Sequence, residues 1–413
     1  MEQGSIVHFL ENKTILITGA TGFLAKIFVE KILRIQPNIN KLYLLIRAEN
    51  SEYDVAMGIN TMGALHVLNF AKNCAKIRML VHVSTAYVWG ERGGVLPESP
   101  FYMCETLNGT SGLDIYKEKK LIEERLHELH SNGATEEAIT LALKDLGVQR
   151  ARLYGWPNTY VFSKAMGEMV LGHLKGNLPL VIVRPTVITS TYKEPFPGWV
   201  EGLRTIDSFI VAYGKGKLSF FPSDPTTIID VIPADMVVNS IIVAIVIQAN
   251  QPSMVIYQVG SSARNPVRHA DLQDYTLHYF TKNPWISKDG KPIKVRKITA
   301  VTTMASFHRH MATRRFLLLK GLKLANMAFC QYFQGTYMKL NRQMKFLIRL
   351  IELFKPYFFF MGIFDDTNSE KLQMVARETT VDAEAFGFNS RCIDWEDYFM
   401  NTHIPGVVKY LFK

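Results

Sequence analysis

Cysteine is scarce. Cys74, Cys104, Cys330 and Cys392 are the only four in 413 residues, and no two stand at CxxC or metal-type spacing. That excludes a disulfide framework and a cysteine-built metal centre, and it suits a reducing compartment. Long apolar runs are missing as well, so no segment is expected to cross a bilayer. The first strand is expected from near Thr14, too early for a signal or transit peptide to precede it, which predicts an intracellular protein. No internal repeat is present, which argues against solenoids and arrays. Acids are missing from one place in particular. Between Lys291 and Lys355 stand 14 Lys and Arg against a single acid, Glu352, a surplus of 13 in a chain whose net charge is +10, so everything outside that stretch is net negative.

Apolar residues are plentiful. At 48% hydrophobic and 20% charged, the chain buries a substantial core as one large or two ordinary domains. KTILITG reads as a buried strand, TGFLAKIFVEKIL as the helix after it, and KLYLLIR at 41–47 as a second strand, together one βαβ unit. A helix over roughly Tyr53 to Cys74 follows, then the strand RMLVHVS, and strands joined this way predict an α/β fold with a doubly wound parallel sheet. Residues 105–150 read as a charged helical insertion whose second helix ends at Gly147. The sheet resumes with LPLVIVRP, and MVIYQVG is a late strand. From about residue 300 the composition shifts to Met, Phe, Lys and Arg, so the expected domains are 10–298 and a mostly helical 299–413.

Thr18, Gly19, Ala20, Thr21, Gly22, Phe23, Leu24 and Ala25 join the first strand to the first helix. Gly19 allows a tight turn, Gly22 lets backbone approach a pyrophosphate, and small Ala25 permits close helix packing, while the helix N-terminus favours the anion. A strand before and a helix after are the context this dinucleotide motif requires. The tip of the second strand then selects the cofactor. An acid there would bond the ribose of NAD, whereas Arg47 suits the 2′-phosphate of NADPH. Further on, Tyr160 and Lys164 stand four apart in TYVFSK and face the same way on a helix, so the ammonium lowers the phenol's pKa and readies it to pass a proton to a carbonyl oxygen. Ser84 ends a strand, with Thr85 after it. A lone Tyr and Lys at this spacing is more often a surface pair. The order of glycine turn, strand-ending Ser, Tyr and Lys is what nicotinamide-dependent carbonyl chemistry needs. His82 reads as a packing histidine and not a base.

In the basic stretch, FLLLKGLKLANMAFCQYF and MKFLIRLIELFKPYFFFMGIF place apolar residues at helical spacing between cations. Three roles fit: a helical lobe with a solvated basic face, a surface lying on anionic lipid, or a docking face for a phosphorylated substrate such as a coenzyme A ester. Nucleic acid fits worst, because no recognition motif accompanies the charge.

The blocks TGATGFLA, YDVAMGINTMGALHVLNFAKNC, VHVSTAYVWG, TYVFSKAMGE, IVRPTVI and EPFPGWVEG, in that order, resemble the extended short-chain dehydrogenase/reductases and, within them, the plant branch of the alcohol-forming fatty acyl-CoA reductases. The tail segments FDDTNSEKL and DWEDYF resemble that family's C-terminal domain. The resemblance implies a Rossmann-type domain that reduces a long-chain or very-long-chain fatty acyl-CoA, with two hydrides from NADPH, through an aldehyde to a primary alcohol. It implies Tyr160 as the acid, Lys164 as the group that lowers its pKa and holds the nicotinamide ribose, and Ser84, helped by Thr85, as the orienter of the carbonyl. Pro185 and Thr186 match a loop bordering the nicotinamide. Asn60 matches a family Asn that supports a proton relay, although a buried Asn at a helix bend is the commoner use of such a residue. Homodimers are frequent in the family, and a peripheral endoplasmic reticulum or cytoplasmic location is expected. Two alternatives remain beside it: a non-catalytic descendant that binds acyl-CoA, membrane or partner subunits, and a reductase of a sterol or phenolic carbonyl.

One departure is large. Tyr53, where the helix block begins, follows Arg47 by six residues, whereas the family places several tens of residues there, including two strands. One of those strands belongs centrally, beside the first. Its loss predicts unpaired backbone groups unless the strand ending at Ser84 moves inward to pair there.

Overall fold

The computed structural model describes the chain except residues 1–3, 47–54, 219, 288, 302, 312–316, 330 and 413. It forms two compact units, one of 1–202, 230–266 and 362–413, the other of 203–229 and 267–361.

The first unit is α/β and opens as the sequence predicts. Strand β1 (Thr14–Thr18) leads into helix α1 (Phe23–Ile35) and strand β2 (Lys41–Leu45), which pairs with β1 in parallel, Thr14 opposite Lys41. A π-helical turn, Gly58–Met62, runs into α2 (Gly63–Lys72), and β3 (Leu80–Val83) follows. Helices α3 (Ile115–Ser131) and α4 (Glu136–Leu153) form the insertion, and α5 (Thr159–Leu174) precedes β4 (Leu180–Pro185). Helix α6 (Ala234–Gln248) and strand β5 (Met254–Val259) come next, and β4 lies parallel between β3 and β5. Leu68, Leu171, Ile182 and Ile256 pack the centre of this three-stranded sheet against α2 and α5. Apolar on nearly every side, α5 is buried along most of its length.

Two expectations are corrected. Helix α4 does not stop at Gly147 but continues to Leu153, because a Cβ at Gly147 would meet the Thr159 side chain: the glycine marks a close helix contact, not a helix end. Nor is KTILITG a buried strand. No residue of β1 is buried, and Leu16 is 42% exposed, as is Leu45 of β2 at 57%. Among the described residues β1 pairs only with β2, and β3 only with β4. The strand ending at Ser84 has therefore not moved inward to pair with β1, and among the described residues these parallel strands form separate two- and three-stranded sheets.

In the second unit, strands Phe220–Pro222 and Thr299–Val301 pair in parallel, and Tyr213, Phe280 and Phe307 are buried among its helices. The basic stretch supplies the helices α7 (Leu317–Ala328) and α8 (Gln334–Phe358), which pack on each other as a hairpin.

Candidate active site

Helix α5 begins where the Asn158 side chain accepts the Val161 N–H at 3.1 Å, which fixes the first turn. Tyr160 lies in that turn, 50% exposed. One turn on, Lys164 is half-buried, and its Nζ donates to the Val83 carbonyl at 3.0 Å, the last peptide before Ser84. The Ser84 N–H is held by the Val183 carbonyl at 2.8 Å, but its hydroxyl is buried with no partner among the described residues. A buried hydroxyl without a partner costs free energy that a bound carbonyl oxygen would recover. The Thr85 Oγ1 accepts the Tyr87 N–H at 3.3 Å and caps the short 3-10 helix Ala86–Trp89. Pro185 ends β4, and the Thr186 N–H donates to the Val259 carbonyl at 3.0 Å.

A further turn along α5 stands Glu168, a residue not singled out from the sequence. It is fully buried and forked to Arg184 of β4, whose Nε donates at 3.0 and 3.2 Å. The Arg184 guanidinium also lies over the rings of Phe101 and Trp89, at 5.6 and 5.9 Å. Burial lowers the Lys164 pKa, and the Glu168 charge opposes that fall. His82 is pushed down to about 3, first by burial of its ring, then by Lys164 and Arg184, so it stays neutral as a packing residue. A charged residue inside an otherwise apolar strand was the available signal for Arg184; its partner had to be found in the structure.

Asn60 lies in the π-helical turn. Its Nδ2 donates to the Ser163 Oγ at 3.0 Å, that hydroxyl donates to the Tyr160 carbonyl at 3.0 Å, and the Thr61 hydroxyl donates to the Ser163 carbonyl at 2.8 Å. The turn is thereby bonded to the backbone that carries Tyr160. A Cβ on Gly167 would overlap the Asn60 carbonyl, so only glycine lets the two helices come this close.

The nucleotide loop sits at the free end of β1. Thr18, Gly19, Thr21 and Gly22 are exposed, and Gly19 takes φ +64°, the left-handed turn expected of it. Gly22 caps α1 without a side-chain bond, which leaves first-turn N–H groups to meet a phosphate. Phe23 is core, edge-on to Trp199 at 5.5 Å, with Leu24 and Ala25 half-buried behind it. This cradle fits a nicotinamide dinucleotide. Arg47 lies outside the described residues. Among the described residues no cluster of His, Cys, Asp and Glu could hold a metal ion.

Two family models, both described as male sterility protein, match the chain: an NAD-binding module over 17–52 and 50–241, and a second module over 314–413. The first match breaks at the short link after Arg47. The alcohol-forming fatty acyl-CoA reductase of Simmondsia chinensis is 47% identical over an alignment of 491 positions that covers all of both proteins. A relative numbered 7 in the fatty acyl-CoA reductase series of Arabidopsis thaliana is 48% identical over 400 positions, which cover 95% of this chain and 97% of that protein, so it is of similarly short length. Among solved structures, the terminal R domain from the myxalamid PKS-NRPS pathway shares the fold at TM-score 0.54 and 14% identity, over 98% of this chain and 92% of that one.

Proposed function

The chain belongs to the plant-type alcohol-forming fatty acyl-CoA reductase family, and from that premise we propose that it reduces a long-chain or very-long-chain acyl-CoA through the aldehyde to the primary alcohol, using NADPH. The observation that supports this reading is the Lys164 to Val83 bond, which ties the ammonium, one helical turn from Tyr160, to the peptide that leads into Ser84, whose hydroxyl is buried without a partner among the described residues. Thr18 to Ala25 hold the cofactor's pyrophosphate, Pro185 and Thr186 border its ring, and Arg47 meets the 2′-phosphate. Bound there, a reduced nicotinamide would supply one hydride to the thioester, and a second NADPH, exchanged for the spent cofactor, would supply one to the aldehyde. Ser84 donates a hydrogen bond to the substrate carbonyl oxygen. Tyr160 delivers a proton to that oxygen, and the Lys164 charge lowers the cost of parting with it. In the first reduction coenzyme A leaves as the thiol; in the second the oxygen keeps its proton as the alcohol.

The test is to incubate the purified chain with a long-chain acyl-CoA and NADPH and to follow cofactor oxidation and alcohol together. Tyr160→Phe should lower kcat by about 10²–10⁴ with cofactor affinity kept, and Arg47→Ala should erase the preference for NADPH over NADH. The divided sheet favours one second reading, a non-catalytic descendant that binds acyl-CoA. Acyl-CoA binding without cofactor binding would decide for it. No helix among the described residues is long and apolar enough to cross a membrane, and the reading includes peripheral contact with the endoplasmic reticulum through 291–355.

A further inference from the structure

Helices α7 and α8 meet at a tip of unusual composition. Met327 is 71% exposed, Phe329 64% and Tyr332 82%, three large apolar or amphipathic side chains at the end of one hairpin. The tip is ordered. The Gln331 N–H bonds the Asn326 carbonyl at 2.8 Å, and the Asn326 Nδ2 reaches the Gln334 Oε1 at 2.6 Å, tying the end of α7 to the start of α8. Phe329 and Tyr332 both pack edge-on to Phe333, at 6.0 and 5.0 Å. Behind the tip the exposed cations Lys320, Lys323, Lys339 and Arg342 stand on both helices, and no acid occurs from Leu317 to Arg342.

A protein partner that covers such a tip would need acids for the cations and a pocket for the rings. An anionic lipid face offers both over any area: apolar side chains at the tip suit the acyl boundary, a Tyr suits the interface, and cations on both helices suit anionic headgroups. We propose that the α7–α8 tip is the membrane-docking element, with Met327 and Phe329 entering the acyl boundary, Tyr332 at the headgroup level, and the four cations over anionic headgroups. This rests on the peripheral contact proposed above and narrows it from 291–355 to one tip, independently of turnover.

The full chain is sedimented with vesicles of phosphatidylcholine alone and with vesicles that also carry phosphatidylserine. With the emission of the parent's five tryptophans subtracted, Phe329→Trp should add a blue-shifted emission with the anionic vesicles that is quenched by brominated acyl chains. Met327→Ser with Phe329→Ser and Tyr332→Ser should abolish sedimentation with the circular dichroism unchanged. Replacing the four cations by Gln should weaken anionic binding by roughly five-fold for each one removed, with salt producing the same loss in the parent. If the indole introduced by Phe329→Trp keeps a solvent-like emission in the pelleted protein, the proposal is overturned. So is it by a triple Ser variant that still sediments while replacement of Lys291 and Lys294 releases it, an outcome that would leave the wider membrane contact standing.

Discussion

Lys164 is the side chain on which burial and charge pull in opposite directions: its surroundings strip solvent from the ammonium while Glu168 restores part of its preference for the charged form. Glu168 is itself committed to Arg184, and both are fully buried. Removing one member of such a pair strands the other without solvent. Glu168→Leu is therefore expected to cost about 3–5 kcal/mol in chemical denaturation, and adding Arg184→Met should recover much of it, since a buried pair replaced by apolar groups is close to neutral. His82 gives a pH signature. Its pKa is about 3 in the folded chain against 6.5 when solvated, so the unfolded chain takes up the proton first as pH falls. The contribution is fully present above about pH 6.5 and is lost progressively towards pH 3, so the melting temperature should decline through that window and decline less in His82→Leu.

At the scale of helices and strands, the seat of α5 on the π-helical turn is the critical contact. Gly167→Ala drives a methyl into the Asn60 carbonyl and should lower both melting temperature and activity, whereas Ser163→Ala, which removes only the bridge from Asn60 to Tyr160, should cost about 1 kcal/mol. Thermal melts of the two variants side by side check the difference. Most of these elements are legible in the chain, since a short β-branched run followed by glycines, or an apolar helix opened by Asn158, carries its own start and stop signals. Glycines mislead where they serve packing: Gly147 resembles a terminator because a chain pattern shows the missing side chain but not the Thr159 that needs the room. KTILITG reads as buried because its composition is that of a central strand. Exposure depends on neighbours, and among the described residues β1 has only β2. Ser84, Tyr160 and Lys164 can be named from order and spacing, yet the Glu168–Arg184 pair and the Ser163 bridge connect residues whose proximity only the packed helix and sheet create.

Across the whole molecule, the division of the sheet should make stability uneven. The three strands beneath α2 and α5 have buried residues at their centre, while β1 and β2 have none buried in β1 and one hydrogen-bonded neighbour apiece among the described residues. Native-state amide exchange should therefore find β4 and β5 protected close to the global limit and β1 and β2 opening at lower free energy. Binding of the dinucleotide at the glycine turn should slow exchange in β1 specifically; equal protection of both sheets without ligand would contradict this account. The flanks of Thr14–Thr18 and Leu80–Val83 that have no strand partner among the described residues also offer rows of donors and acceptors to any extended segment that drifts past. Copies joined rim to rim could lengthen without closing, so time and concentration, more than temperature, would set how long the protein stays dispersed.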